Sequence, residues 1–192
     1  RQIVDAACKL FTEQGYEVTS MDKVAAEANV SKRTVYSYFD SKEHLFCTVM
    51  GGMCAGFGEP NADDIDYSGT PREVLTDCAL LILAKVNDPE KLRLMRTVIA
   101  EAEQFPLIGE TFWREGPGKM REELADYIGK MQEQGLLRKT DPAMAAAHFQ
   151  GFVTGPFMIQ RLFTSSCDWS REDAINSVGP AVESFLKAYA PD

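Results

Sequence analysis

The sequence predicts an all-α protein. Block after block repeats apolar residues at three- and four-residue spacing, and no stretch sustains the period-two alternation of a half-buried strand. Four of the later blocks also open on a proline, which the first turn of a helix accepts because the missing amide is unpaired there anyway.

Ile3, Ala6, Ala7, Leu10 and Phe11 fall on one helical face, and Gly15 is placed to end that helix with a C-terminal cap. The Thr19 hydroxyl can cap a second helix starting at about Ser20, with Asp22 three positions on. Val24, Ala25 and Ala28 give this helix an apolar face whose small side chains allow close approach. Asn29 stands where the chain must turn, and Asn tolerates a left-handed backbone. Val30 then anchors the turn, and Ser31 caps a third helix. Here Val35 and Phe39 point inward, leaving Lys32, Arg33, Thr34, Tyr36, Ser37 and Tyr38 outward. Asp40 or Ser41 opens a fourth helix with Lys42 in its first turn, an unfavourable place for a cation unless an anion lies near. Two short helices joined by a tight turn, the second with a basic, hydroxylated outer face, make the pattern of a helix-turn-helix DNA reader. A DNA phosphate is the anion that would suit Lys42.

The fourth helix, carrying Leu45, Phe46, Val49 and Met50, is expected to run to the Gly-rich segment where Gly56, Gly58 and Pro60 end it. Residues 61–70 read as an acidic loop, and Asp63, Asp64 and Asp66 lack the glycine and distal glutamate of a calcium loop. Helices are then expected over Pro71–Val86, Pro89–Gln104, Pro106–Gln134 (interrupted at Gly116-Pro117-Gly118), Pro142–Phe163 and Arg171–Tyr189.

Three runs, LFTEQGYEVTSMDKVAAEA, VSKRTVYSYF and DSKEHLF, resemble the N-terminal domain of TetR-family transcriptional regulators over about the first 47 residues, with Asn29 where relatives more often carry Gly. By position, the resemblance puts phosphate contacts on Thr19, with Ser20 beside it, and on Tyr38 and Lys42. It puts Ser31, Lys32, Arg33, Thr34 and Tyr36 on the helix that enters the major groove. Tyr36, Tyr38, Lys32 and Arg33 also have plainer readings, as small-core or solvated residues. DPEKLRLMRTVIAEAEQFP, the FW pair at 112–113 and GLLRKTDPAMAAAHFQGFVTGPF are similar to the C-terminal domain of the AefR-like branch of that family. The resemblance implies a DNA-binding domain at 1–47, an effector-binding and dimerisation domain at 48–192, a double-stranded DNA operator, a small-molecule effector and a homodimer, with repression the usual outcome and no cofactor.

Composition bears on this reading through its distribution. The 192 residues carry a net charge of −9 and a pI near 4.8, yet residues 1–50 hold six basic and seven acidic residues, so most of the acid lies elsewhere. From Asn29 to Lys42 there are three basic residues and one acidic, and phosphate attraction acts over roughly 8–10 Å. No run approaches the ~18 apolar residues of a membrane span, and the cytoplasm is the expected location. The chain opens at Arg1 inside a helical pattern, so upstream residues are expected. The five scattered cysteines, without CxxC spacing, read as reduced core residues; a redox-responsive regulator is the alternative they leave open.

Ala146, Phe149, Val153, Phe157, Ile175, Val178, Val182, Phe185 and Tyr189 form apolar stripes on the last two long helices, from which a two-copy interface through Val153, Phe157, Val178, Val182 and Phe185 is expected. Gly151 and Gly155 would let backbones approach. Met95, Ile99, Phe105, Phe112, Trp113, Tyr127, Phe149 and Phe152, with His148 as a polar group, suit an effector pocket, although the same side chains suit a core. No catalytic or metal-binding residues are expected, since HExxH, GxSxG and GxxxxGK are absent and only two histidines occur. A helical protein-interaction module is the remaining alternative.

Overall fold

The computed structural model describes the backbone of residues 1–55, 65–164 and 170–191. Among them the order is α1 (Gln2–Gln14), α2 (Met21–Glu27), α3 (Lys32–Tyr38), α4 (Lys42–Ala55), α5 (Pro71–Asn87), α6 (Pro89–Glu101), α7 (Pro106–Trp113), α8 (Lys119–Glu133), α9 (Pro142–Thr154), α10 (Met158–Phe163) and α11 (Arg171–Ala188). No strand occurs among the described residues. The expected helix end at Gly56, Gly58 and Pro60, the loop carboxylates Asp63 and Asp64, and the side chains of Cys54 and Cys167 lie outside the described residues.

Two compact units form. The first comprises Arg1–Gly58 with Glu90–Pro117, the second Glu59–Pro89 with Gly118–Asp192. This division differs from a cut after residue 47, because the first unit's core takes in Leu94, Val98 and Ile108 alongside Ile3, Leu10, Phe11, Val35, Leu45, Phe46 and Met50. Tyr16 sits at its centre, fully buried. Its ring lies 5.7 Å from Phe11, and 5.0 Å from both Phe46 and Phe105 in edge-on contacts. Such pairs add roughly 0.5–1.5 kcal/mol each beyond their buried area.

The second unit packs α9 against α5, α8 and α11, and α5 against α11. α5 and α11 each open with a reciprocal capping box, Thr70 with Glu73 and Ser170 with Asp173. The core joins Val74, Leu75, Ile82, Leu124, Ile128 and Phe149 to Val153, Phe157, Val178, Val182 and Phe185. The last five were expected at a two-copy interface. All are at most 4% exposed, turned inward onto their own chain, and have no surface to offer a partner in this arrangement.

Two element expectations change. The helix expected from Pro142 to Phe163 breaks after Thr154, because Pro156 lacks an amide and its ring crowds the preceding turn. The Gly116-Pro117-Gly118 interruption becomes a wide helical turn over Arg114–Gly118, bent where Gly116 leaves helical geometry.

Candidate nucleic-acid interface

The reading pair is set by local chemistry. α1 ends at Gly15, whose φ of 82° is left-handed and whose amide donates to the Phe11 carbonyl. Asn29 takes φ 51°, the left-handed turn expected of it, and lets α3 fold back beside α2. Ser31 Oγ accepts from the Thr34 amide at 3.0 Å and lies 2.7 Å from the Thr34 hydroxyl, capping α3. Val35 and Phe39 are buried at 0% and 9% exposure and fix which face of α3 turns outward.

Thr19 does not cap α2. Its hydroxyl donates to the Gly15 carbonyl at 2.8 Å and the residue is 1% exposed, while Ser20 Oγ accepts from the Lys23 amide. Ser20 takes the capping place because its extended φ/ψ aims its side chain at the open amides. A phosphate contact through the Thr19 side chain is therefore corrected: that hydroxyl is spent inside the fold.

The outer face of α3 presents Lys32, Arg33, Tyr36 and Tyr38 to solvent, the two tyrosines 45% and 68% exposed, with Thr34 half-buried. The cations around it differ in how they are held. Lys42 donates to the carbonyls of Tyr16 at 2.9 Å and Glu17 at 3.3 Å, with Nζ 4.1 Å from the Tyr16 ring centroid. Those neutral acceptors explain how a cation is tolerated in the first turn of α4, where the neighbouring Glu43 carboxylate also interacts with its charge. Lys23 donates to the Val18 carbonyl and Lys9 pairs with Glu27. Lys32 pairs with Asp22 of α2, its Nζ 2.7 Å from Oδ1, and this raises its pKa, first through the hydrogen bond and then through the charge. Arg33 is exposed, and among the described residues nothing holds it.

The residues expected at an effector pocket fall into both units. In the first, Ile99 and Trp113 are exposed, Met95 is half-buried, and Phe105 and Phe112 pack against the core. In the second, Phe149 is buried against Phe185, Phe152 is 40% exposed, and the exposed His148 lies 2.6 Å from the Tyr189 hydroxyl through Nδ1. Tyr127 is 3% exposed, and its hydroxyl is buried without a hydrogen-bond partner among the described residues. Burial pushes that phenol up to about 12 and the nearby Cys78 thiol also to about 12. Burial likewise raises the Cys8 thiol. Neither of these two cysteines has the thiolate character that redox sensing needs.

Sequence reasoning missed Asp22 as the partner of Lys32. Its only signal was an acidic residue in the first turn of α2, which capping alone explained. Among the described residues no group of His, Cys, Asp and Glu is placed to hold a metal ion, and no helix is long and apolar enough to cross a membrane.

Comparison with known proteins agrees with this geometry. Residues 3–48 match the family described as bacterial regulatory proteins, tetR family, and residues 73–191 match the AefR-like transcriptional repressor, C-terminal domain. The HTH-type transcriptional regulator AcrR of Shigella flexneri is 25% identical over 97% of this chain and 88% of its own. An uncharacterised HTH-type regulator of Bacillus subtilis, YhgD, is 28% identical over 88% of this chain and 83% of its own. Among solved structures, the Flavonoid-responsive Regulator FrrA superposes with a TM-score of 0.83 at 30% identity, covering 99% of this chain and 96% of that one. A TetR-family regulator from Mesorhizobium loti gives 0.79, also at 30% identity and with the same coverage. A head with a capped, outward-facing α3 and an all-helical body matching over 73–191 lead to one assignment: the chain belongs to the TetR family of helix-turn-helix transcriptional regulators, with an AefR-like C-terminal domain.

Proposed function

We propose that this regulator is a repressor that binds a palindromic operator as a homodimer and is released by a small, largely apolar effector. The observation that carries the reading is Arg33, an exposed guanidinium on the first turn of α3 with no partner among the described residues, beside outward Tyr36 and Tyr38. Arg suits the paired acceptors of guanine, and a bidentate contact contributes about 1–3 kcal/mol of discrimination. Ser31, Ser20, Thr34, Tyr38, Lys32 and Lys42 supply hydroxyls and charge for positioning on phosphates.

A dimer places two such helices about 34 Å apart, one DNA turn. Its support lies on the outward side of α9, α10 and α11, where Met144, Phe152, Ile159, Phe163 and Ile175 are 40–84% exposed. A Cβ added at Gly151 or Gly179 would meet nothing within 4 Å, so both positions are open to a second copy. The effector reading rests on the second unit, where the Tyr127 hydroxyl lies within an apolar core without a hydrogen-bond partner among the described residues, and on the similarity to FrrA, a flavonoid-responsive regulator. An unsatisfied buried hydroxyl costs about 1–3 kcal/mol, which a ligand acceptor would recover.

Selection of bound duplexes from a random pool, followed by gel shifts with wild-type and Arg33→Ala protein, tests the reading. Enrichment of a two-fold symmetric site and loss of at least ~30-fold in affinity for the variant, two contacts per dimer, are expected. No enrichment of a palindrome would defeat it.

A further inference from the structure

We infer that Asp22 is a specificity-determining residue: it serves as an internal phosphate surrogate on α2 that occupies Lys32 of the reading helix until DNA takes its place. The inference rests on the reading that α3 enters the groove. Asp22 approaches Lys32 with both carboxylate oxygens, at 2.7 Å and 3.0 Å, across the turn that joins the two helices. Lys32 Nζ also stands 5.9 Å from the centroid of the Tyr36 ring. The two partners are 59% and 61% exposed, so the pair sits in solvent where an incoming phosphate can reach it.

Among the cations beside α3, Lys42 is held by neutral carbonyls and Arg33 by no group among the described residues, whereas the charge of Lys32 is cancelled by a carboxylate. A carboxylate and a phosphate offer an ammonium the same chemistry, so engagement of Lys32 by DNA is an exchange of anions. On DNA of arbitrary sequence, where only backbone electrostatics act, that exchange gains little and Lys32 stays with Asp22. On the operator, contacts by Arg33 and Tyr36 hold the groove close enough for an acceptor to displace the carboxylate. Asp22 thereby withholds one cation per protomer from indiscriminate binding and widens the gap between operator and bulk DNA.

The test measures binding of the full chain to the selected operator and to a scrambled duplex over a series of KCl concentrations. It uses wild type, Asp22→Asn, Lys32→Ala and the double variant. Asp22→Asn is expected to tighten binding to the scrambled duplex about 3- to 10-fold. The freed cations should steepen its salt slope by up to ~2 per dimer, from ~0.9 for each added phosphate contact. Operator affinity rises less, so the ratio between the two falls. In the Lys32→Ala background the same substitution changes nothing. Asp22→Ala, a second variant, must act in the same direction, with circular dichroism confirming the helical fold of each. Equal tightening with and without Lys32 would mean a general field effect and would overturn the inference, as would unchanged or weaker scrambled-duplex binding. Failure of wild type to bind any selected duplex would instead remove the DNA reading and this inference with it.

Discussion

Gly151 in α9 and Gly155, the residue that caps its C-terminus, stand one turn apart, and substituting each with alanine should have opposite results. At Gly151 a Cβ meets nothing within 4 Å and the backbone is helical, so Ala removes glycine's entropic cost without a clash. That stabilises the protomer by about 0.5–1 kcal/mol, or roughly 1–4 °C in Tm for a chain of this size. The new methyl group also stands on the face assigned to the second copy and blocks close backbone approach there, so the dimer weakens. At Gly155 a Cβ would sit 2.6 Å from the Gly151 carbonyl oxygen, which belongs to the backbone and cannot swing aside. Gly155→Ala should therefore lower protomer stability by about 1–3 kcal/mol. Thermal unfolding followed by circular dichroism, at a dilution where wild type sediments as a monomer, reads the first effect. Sedimentation velocity over a concentration series reads the second. A Gly151→Ala protein that dimerises as wild type does would move the two-copy contact off this face. One that is also no more stable would mean that the position is not the open helical site described.

Phe185 is fully buried, 5.2 Å from the Phe149 ring and 4.5 Å from Tyr189, so Phe185→Ala should cost about 3–5 kcal/mol in denaturant titrations of the diluted protomer. If the loss appears only at concentrations where copies associate, Phe185 belongs to an interface after all. Glu73 and Asp173 are held below ordinary carboxylate values by side-chain and amide hydrogen bonds from Thr70 and Ser170. Their folded pKa values are depressed, so the stability they confer is present above about pH 4–4.5 and is lost as pH falls through the folded values. Tm measured from neutral to acidic pH should show a shallower acid limb for the Thr70→Ala, Ser170→Ala double variant, and an unchanged limb would disprove the assignment. A fragment ending at residue 50 leaves the apolar surface that Leu94, Val98 and Ile108 cover in the intact first unit open to water. It should show reduced helicity and no cooperative melt, and a cooperative transition matching that of the intact head would contradict the packing.

The turn chemistry was legible because it is local. Asn29, Ser31, Val35 and Phe39 do what a four- or five-residue window predicts, and the proline-led starts of α5, α6, α7 and α9 fall where expected. Thr19 and Ser20 show where that window fails. Either hydroxyl could cap α2, and the choice turned on Gly15 presenting a carbonyl that the Thr19 hydroxyl could reach. The stripe through Val153, Phe157, Val178, Val182 and Phe185 was visible as a stripe, but its spacing does not say what covers it. Here α5 does part of that work, through Val74, Leu75 and Ile82 of the same chain. The break at Gly155-Pro156 is marked in the sequence by the proline, but the apolar pattern continues on both sides of it and reads as one helix.

A reading head defined by sequence is smaller than the one defined by packing. Tyr16 lies within the segment that matches the family's N-terminal domain, and its carbonyl and ring hold Lys42, yet the same ring rests against Phe105 at the start of α7. Cys47 on α4 reaches Thr111 on α7 at 3.4 Å, a second contact between these segments. The position of Lys42 is thus tied, through one buried aromatic residue, to a segment some ninety residues further along the chain. Anything that moved α7 would have to disturb either the aromatic contacts around Tyr16 or the carbonyls that hold Lys42. Arg33 has neither tie. Within this unit, then, the proposed backbone contact through Lys42 is tied to α7, while the proposed base contact through Arg33 has no such tie.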